Sequence, residues 1–197
     1  MLKSLVRRAR QGLGKPTAAP DPRGRRLVAV IECVLNQNAR DAGAARFAAM
    51  SWEVLQICQA HGVGLVQMPC PEIACLGPAR ARPAGMSLRQ AIDNPAGRQC
   101  CARISDDVAG RLQDYADAGC HVLAVLGGNA QSPGCAVHQG DGGLAPESGV
   151  LMLELQAELR RRGMEIAFRG LHDADAAAWA QDLQWLRETL SSPAPQA

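Results

Sequence analysis

The chain has 197 residues, enough for one domain with a full hydrophobic core, and its 47% apolar and 20% charged content excludes a disordered or fibrous class. Aromatics make up only 3%, so stacking platforms for single-stranded nucleic acid are almost absent and an aliphatic core is expected. The net charge of +2 is uneven, with +7 in residues 1–26 and −5 in the remainder; no apolar run reaches membrane-spanning length and no secretory signal follows the basic start.

Residues 1–26, with Pro16, Pro20 and Pro22 among their arginines, read as a basic flexible tail, residues 27–191 as a single domain, and 192–197 as a disordered end. The first strand is predicted at Leu27–Glu32, a short apolar run without helical period. A polar turn follows, then a helix over about Ala44–His61 with Phe47, Met50, Val54, Leu55 and Cys58 on its stripe and Gly62 as its stop. A second strand is predicted at Gly64–Met68. Residues 70–104 read as irregular apart from a short helical piece near Ser87–Ile92, and a helix is expected to start near the N-cap residue Ser105 and end at Gly119.

The third strand is predicted at His121–Leu126, followed by a glycine-rich loop and a helix over about Pro146–Arg162. The fourth is predicted at Met164–Phe168, and a last helix carries Trp179, Leu183, Leu186 and Leu190. Strand and helix alternate four times, which predicts an α/β domain with a parallel four-stranded sheet covered on both faces, three layers in all. Right-handed crossovers bring the C-terminal end of every strand to one rim, where such sheets bind ligands.

Eight cysteines (Cys33, Cys58, Cys70, Cys75, Cys100, Cys101, Cys120, Cys135) are many for a chain with no export signal. A cytoplasmic location is expected, where a disulfide framework is not and where excess cysteine points to metal or redox chemistry. Cys33 follows the first predicted strand, Cys70 the second, and Cys135 lies in the loop after the third. In a parallel sheet the three gather on one rim. Three thiolates make a soft site suited to zinc, copper(I) or an iron–sulfur cluster, and three ligands in place of four leave one position open. Taken singly, each reads more often as a small buried strand-end cysteine; three at successive strand ends weaken that reading. Cys58 and Cys120 are expected in the core, and Cys100 and Cys101 in packing roles.

Other residues near this rim have chemistry to offer. Glu72, two residues from Cys70, suits a general base or a partner for Arg80. Ser132 holds or polarises a ligand, or simply opens a Ser-Pro turn. Asn36, Gln37, Asn38 and Asn129 are candidate hydrogen-bond donors, and His138 and His172 fall in loops on the same edge. The arginines of 70–104 (Arg80, Arg82, Arg89, Arg98, Arg103) read either as a basic lid or as a solvated loop.

The segment Cys33-Val-Leu-Asn-Gln-Asn-Ala-Arg40-Asp-Ala-Gly43 resembles the opening C-L-L-G-x-x-C-R-Y-x-G of the domain-of-unknown-function family that contains bacterial 2-thiouracil desulfurases. Pro69-Cys70-Pro71-Glu72, with Leu76-Gly77 and Arg80, resembles that family's P-x-C-P-E-x-x-G-G-L-x-x-P-R stretch, and Ser132-Pro133-Gly134-Cys135 its S-P-S-C-G. The three stretches come in family order within 27–140. The resemblance implies a Rossmann-like fold and a [4Fe–4S] cluster on Cys33, Cys70 and Cys135 whose free iron takes sulfur from a thiocarbonyl small molecule. It also implies assistance from Glu72 and Ser132. Asn36, Asn38, Arg80 and Asn129 are then the substrate-binding candidates, and neither nucleic acid nor membrane is an expected partner. Asn36, Ala39, Ala42, Cys75 and Gly134 depart from the family wording, which marks a divergent member. The alternative is a non-catalytic iron–sulfur or zinc-binding protein in which Cys75 closes the site.

Overall fold

The computed structural model describes residues 21–192; residues 1–20 and 193–197, on which most of the expected tail and disordered end fall, lie outside the described residues. Six strands occur among the described residues: β1 (Arg26–Ile31), β2 (Gly64–Met68), β3 (His121–Leu126), β4 (Gln139–Gly140), β5 (Gly143–Leu144) and β6 (Ala167–Arg169). The helices are α1 (Glu32–Leu35), α2 (Trp52–Ala60), α3 (Pro71–Leu76), α4 (Leu88–Ile92), α5 (Pro95–Asp117), α6 (Val150–Arg161) and α7 (Ala176–Ser191), with one 3-10 turn at Gln37–Ala39.

The α/β expectation holds: β2, β1, β3 and β6 lie side by side in that order, all parallel, and β4 and β5 form a separate antiparallel hairpin. Val28–Ile31 of β1 and Ala124–Leu126 of β3 are buried without alternation, as strands covered on both faces require. Helices α5 and α6 pack on each other, α2 packs on α7, and α5 and α7 both touch β3. The chain steps from β1 outward to β2, then back across β1 to β3. Such a reversal of winding opens a crevice beyond the strand ends, here between β1 and β3.

Four boundaries differ from expectation. The helix expected from Ala44 begins only at Trp52, because residues 37–51 fold back: Gln37 N–H donates to Ala49 O at 2.7 Å and Ser51 N–H to Val34 O at 2.8 Å. Helix α5 starts ten residues before Ser105. Pro95 is its first residue and the Asn94 side chain accepts from Ala96 and Gly97 N–H, a complete cap that outweighs the glycine behind it. Helix α6 starts at Val150 rather than Pro146, because the preceding residues pack on the loop that carries Cys135. The first N–H groups of α6 are taken by that loop, Val150 donating to Pro133 O and Leu151 to Gly134 O. The last strand pairs only over Ala167–Arg169, because it is an edge with β3 as its sheet partner.

Among the described residues no helix is long and apolar enough to cross a membrane.

Candidate functional site

Cys33, Cys70 and Cys135 line one cavity of about 280 Å³ at the C-terminal ends of the parallel strands. Helix α1 follows β1 without a loop and carries Cys33 in its first turn. Cys70 is the N-cap of α3, and its N–H donates to Glu32 Oε2 at 2.8 Å, so the end of β2 is tied to the end of β1. Cys135 is brought back to β3 by a hydrogen bond from Gly128 N–H to Cys135 O at 2.7 Å. Gly128 has no room for a side chain: a Cβ there would sit 2.5 Å from Cys135 Sγ. Gly134, where the resembled family has serine, is equally constrained, since a Cβ would meet Pro71 Cγ at 2.6 Å.

Glu72 and Arg80 form a buried ion pair in the wall of this cavity. Arg80 Nε donates to Glu72 Oε2 at 2.7 Å and Arg80 Nη2 to Ala39 O at 2.7 Å, and Arg80 and Glu72 are 4% and 8% exposed. Arg80 adopts a left-handed backbone, φ +48°, a conformation that non-glycine residues keep only when their surroundings hold them there. Ser132 Oγ donates to the other carboxylate oxygen, Oε1, at 3.1 Å. The same hydroxyl accepts from Cys135 N–H at 3.2 Å and stands 3.1 Å from Cys135 Sγ. Asn129 also lines the cavity, its Oδ1 accepting from Gln131 N–H at 3.0 Å.

All three thiols are held toward their protonated form, chiefly by burial. Cys33 is pushed up to about 11, against the opposing pull of Arg40. Cys70 is raised, and Cys135 is raised well above its ordinary value, with the charges of Cys33, Cys70 and Glu72 adding to the burial effect. Three buried thiols held in this way become thiolates together only beside a compensating positive centre. Among the described residues no three His, Cys, Asp or Glu side chains converge tightly enough for a single ion. One zinc, with sulfurs at about 2.3 Å, needs that convergence; a cuboidal cluster attaches its sulfurs to different irons.

Arg40 belongs to the site although only its place in a motif pointed to it. It lines the cavity and forks onto Asp173, which comes from the loop after β6. Both side chains are closed to solvent, and Arg40 Nε is buried with no acceptor.

Other expected residues lie elsewhere. Asn36 caps the 3-10 turn, its Oδ1 accepting from Asn38 N–H and Nδ2, so these two side chains bind each other and do not line the cavity. Gln37 bonds to Cys33 O and to the N–H of Arg46, which holds residues 37–47 in place. His138 Nε2 meets Ala130 O, and His172 Nδ1 meets Asp182. The arginines of 70–104 do not form a common lid: Arg80 is buried, Arg89 reaches carbonyls of the loops at 133 and 146–148, and Arg98 pairs with Asp93. Cys58 and Cys101 are core residues, while Cys120 is half-buried at the other end of the sheet.

Cys75 corrects two expectations. It is joined to Cys100 in a disulfide, Cα–Cα 5.8 Å, although no disulfide was expected, and so Cys75 does not close the three-cysteine site. The bridge escapes a sequence reading because Cys100 is brought opposite Cys75 only once α5 begins at Pro95.

No known family profile matches the chain, and no solved structure does. An uncharacterized protein, MJ0003, of Methanocaldococcus jannaschii is 29% identical to it over 93 residues, which are 47% of this chain and 57% of that protein. The chain thus spans little more than half the length of the curated relative it matches.

Proposed function

We propose that this protein holds a [4Fe–4S] cluster on Cys33, Cys70 and Cys135 and hydrolyses the thiocarbonyl group of a thiouracil-like small molecule. The observation that carries the reading is the convergence of three cysteines, from three strand ends and far apart in sequence, on one cavity walled by Glu72, Arg80 and Ser132. The donor set fits the group: three soft ligands and a neighbouring buried cation whose Nε lacks an acceptor suit an anionic cluster. Such a cluster, when bound, supplies an iron with an open position for a substrate sulfur.

The chain's own residues supply the proton handling. In the net reaction, water oxygen replaces sulfur on carbon and sulfur leaves as sulfide, so no oxidant or reductant is consumed. Glu72 is the general base that takes the proton of water, and its other oxygen is held by Arg80, so that the reactive oxygen keeps one orientation. Ser132, bonded to Glu72 Oε1 and next to Cys135, orients the carboxylate toward the cavity and returns the proton to the departing sulfur, which leaves as hydrogen sulfide. Asn129, in the cavity wall, offers its amide to the heterocycle.

The reading includes a Rossmann-like three-layer arrangement, supported by the reversal of winding about β1 and by the two helix pairs that both reach β3. It also includes no nucleic-acid partner, supported by the scarcity of aromatics, and a cytoplasmic location with no membrane partner.

The test is oxygen-free purification followed by iron and sulfide analysis, then incubation with 2-thiouracil and measurement of released sulfide. About four irons and four sulfides per chain are expected, lost together in Cys33→Ser, Cys70→Ser and Cys135→Ser. Iron-free protein, or a cluster unaffected by these substitutions, refutes the reading.

A further inference from the structure

A second buried ion pair at the cavity is not used by that chemistry. Arg40 Nη1 stands 3.1 Å from Asp173 Oδ1 and 3.2 Å from Ala44 O, and Nη2 meets Asp173 Oδ2. The two side chains are 7% and 1% exposed. Three of the five guanidinium N–H groups are thus committed, and Nε is the nitrogen left with no acceptor at all, and it is buried. A buried N–H left unpaired is costly and calls for an explanation. The guanidinium lines the same cavity as Cys33.

Asp173 is itself held from behind. Its neighbour His172 donates N–H to Asp182 Oδ2 at 2.7 Å and Nδ1–H to the same oxygen at 2.9 Å, and Arg169 Nε donates to Asp182 Oδ1 at 2.8 Å. Asp182 comes from α7 and is 1% exposed. A set of contacts therefore runs from the packed interior of α7, through the loop after β6, to Arg40 in the wall of the cavity that Cys33 also lines.

We propose that Arg40 is a positioning residue for the cluster. Its Nε–H is the hydrogen-bond donor to sulfur at the Cys33 corner, Asp173 sets the plane of the guanidinium, and Asp182 fixes the loop that carries Asp173. The inference rests on the three-cysteine cluster reading and adds to it the group that tunes the cluster. Hydrogen bonds to cluster sulfurs and nearby positive charge both raise the reduction potential. Lysine cannot replace this residue fully, because one ammonium cannot present a planar fork to Asp173 and a separate donor to sulfur.

The experiment is an oxygen-free redox titration, followed by electron paramagnetic resonance, of native protein, Arg40→Gln, Arg40→Lys and Arg98→Gln at matched iron content. The expected result is a potential shifted negative in Arg40→Gln, shifted less in Arg40→Lys, and unchanged in Arg98→Gln. If Arg40→Gln does not fold, Arg40→Lys and Asp182→Asn carry the test, each with a smaller negative shift. Iron-loaded Arg40 variants at the native potential overturn this inference and leave the cluster reading intact. Native protein without iron overturns both.

Discussion

Ser132 donates its hydroxyl to Glu72 at 3.1 Å across a separation of 60 residues, and this bond joins the loop after β3 to the helix after β2. The same hydroxyl touches Cys135, so a proposed catalytic carboxylate and a proposed cluster ligand share one oxygen. Glu72→Gln keeps the shape of the wall and removes the base. Sulfide release is expected to fall by roughly 10²–10⁴-fold with iron content unchanged. Ser132→Ala is expected to fall less, since Glu72 retains Arg80. Steady-state assays at matched iron content check both, and undiminished turnover in Glu72→Gln removes Glu72 from the mechanism.

Arg80 is expected to matter for stability as well as for orientation. Removing one partner of a buried ion pair leaves the other charged and unpaired, at a cost of about 3–5 kcal/mol. Arg80→Ala should therefore lower the midpoint of denaturant unfolding sharply, and the double variant Arg80→Ala/Glu72→Gln should recover part of the loss. An Arg80→Ala protein as stable as native contradicts the buried pair.

The convergence of Cys33, Cys70 and Cys135 was legible in the sequence because it needs only three strands, one direction and right-handed crossovers; no side-chain packing enters. Glu72 was legible for a related reason, as it is two residues from a strand end. The Arg40–Asp173 pair was not, because strand order places the loop after β6 on the right edge but does not say which of its side chains packs against the segment that carries Arg40. Asn36 and Asn38 were misplaced because short amides in a tight turn bind their own backbone before they reach a ligand. The Cys75–Cys100 bridge was hidden by the same error that started α5 at Ser105: the Asn94-Pro95 cap outranks Gly97, and the sequence offers both signals.

That bridge closes a loop of 25 residues between α3, whose first turn carries Glu72, and α5. Loss of such a cross-link costs about 3 kcal/mol through the entropy of the unfolded chain. Denatured protein should show six reactive thiols without reductant and eight with it, six cysteines being free. A dithiol reductant should lower the unfolding midpoint of native protein and leave that of Cys75→Ala/Cys100→Ala unchanged. Eight thiols in freshly prepared, unreduced protein contradict the bridge.

Alkaline pH tests the buried thiols in metal-free protein. Cys58 is pushed up to about 11 from the ordinary 9.0 by burial alone, far from the cavity. Its folded form binds the proton more tightly than its unfolded form, so the unfolded chain loses that proton first as pH rises. The stabilisation is therefore fully present below about pH 9 and is lost progressively up to about pH 11, at roughly 1.4 kcal/mol for each step of one in pH. Cys33, also pushed up to about 11, adds a loss of the same sign. Urea unfolding at stepwise pH should show stability falling across this window, and Cys58→Ala, though less stable at neutral pH because of the cavity it leaves, should fall less steeply. A slope identical in native protein and Cys58→Ala would show that this thiol does not titrate on unfolding.

Gly128 offers the most local test of the site. Its Cβ would lie 2.5 Å from Cys135 Sγ and 3.8 Å from Ser132 Cβ, so Gly128→Ala must displace the sulfur or its loop. The carbonyl and N–H of Gly128 are engaged by Leu171 N–H and Cys135 O, which ties the glycine to the loop after β6 and to the loop that carries Cys135 and prevents it from moving away. Gly140 serves as the contrast: it lies in the β4–β5 hairpin, outside the cavity, and a Cβ there meets its nearest neighbour at 3.1 Å. Gly128→Ala is expected to lose most of its iron with far-ultraviolet circular dichroism unchanged, and Gly140→Ala to retain it. Full iron occupancy in Gly128→Ala would mean that Cys135 is not a ligand, because a ligating sulfur cannot be pushed aside without changing what it holds.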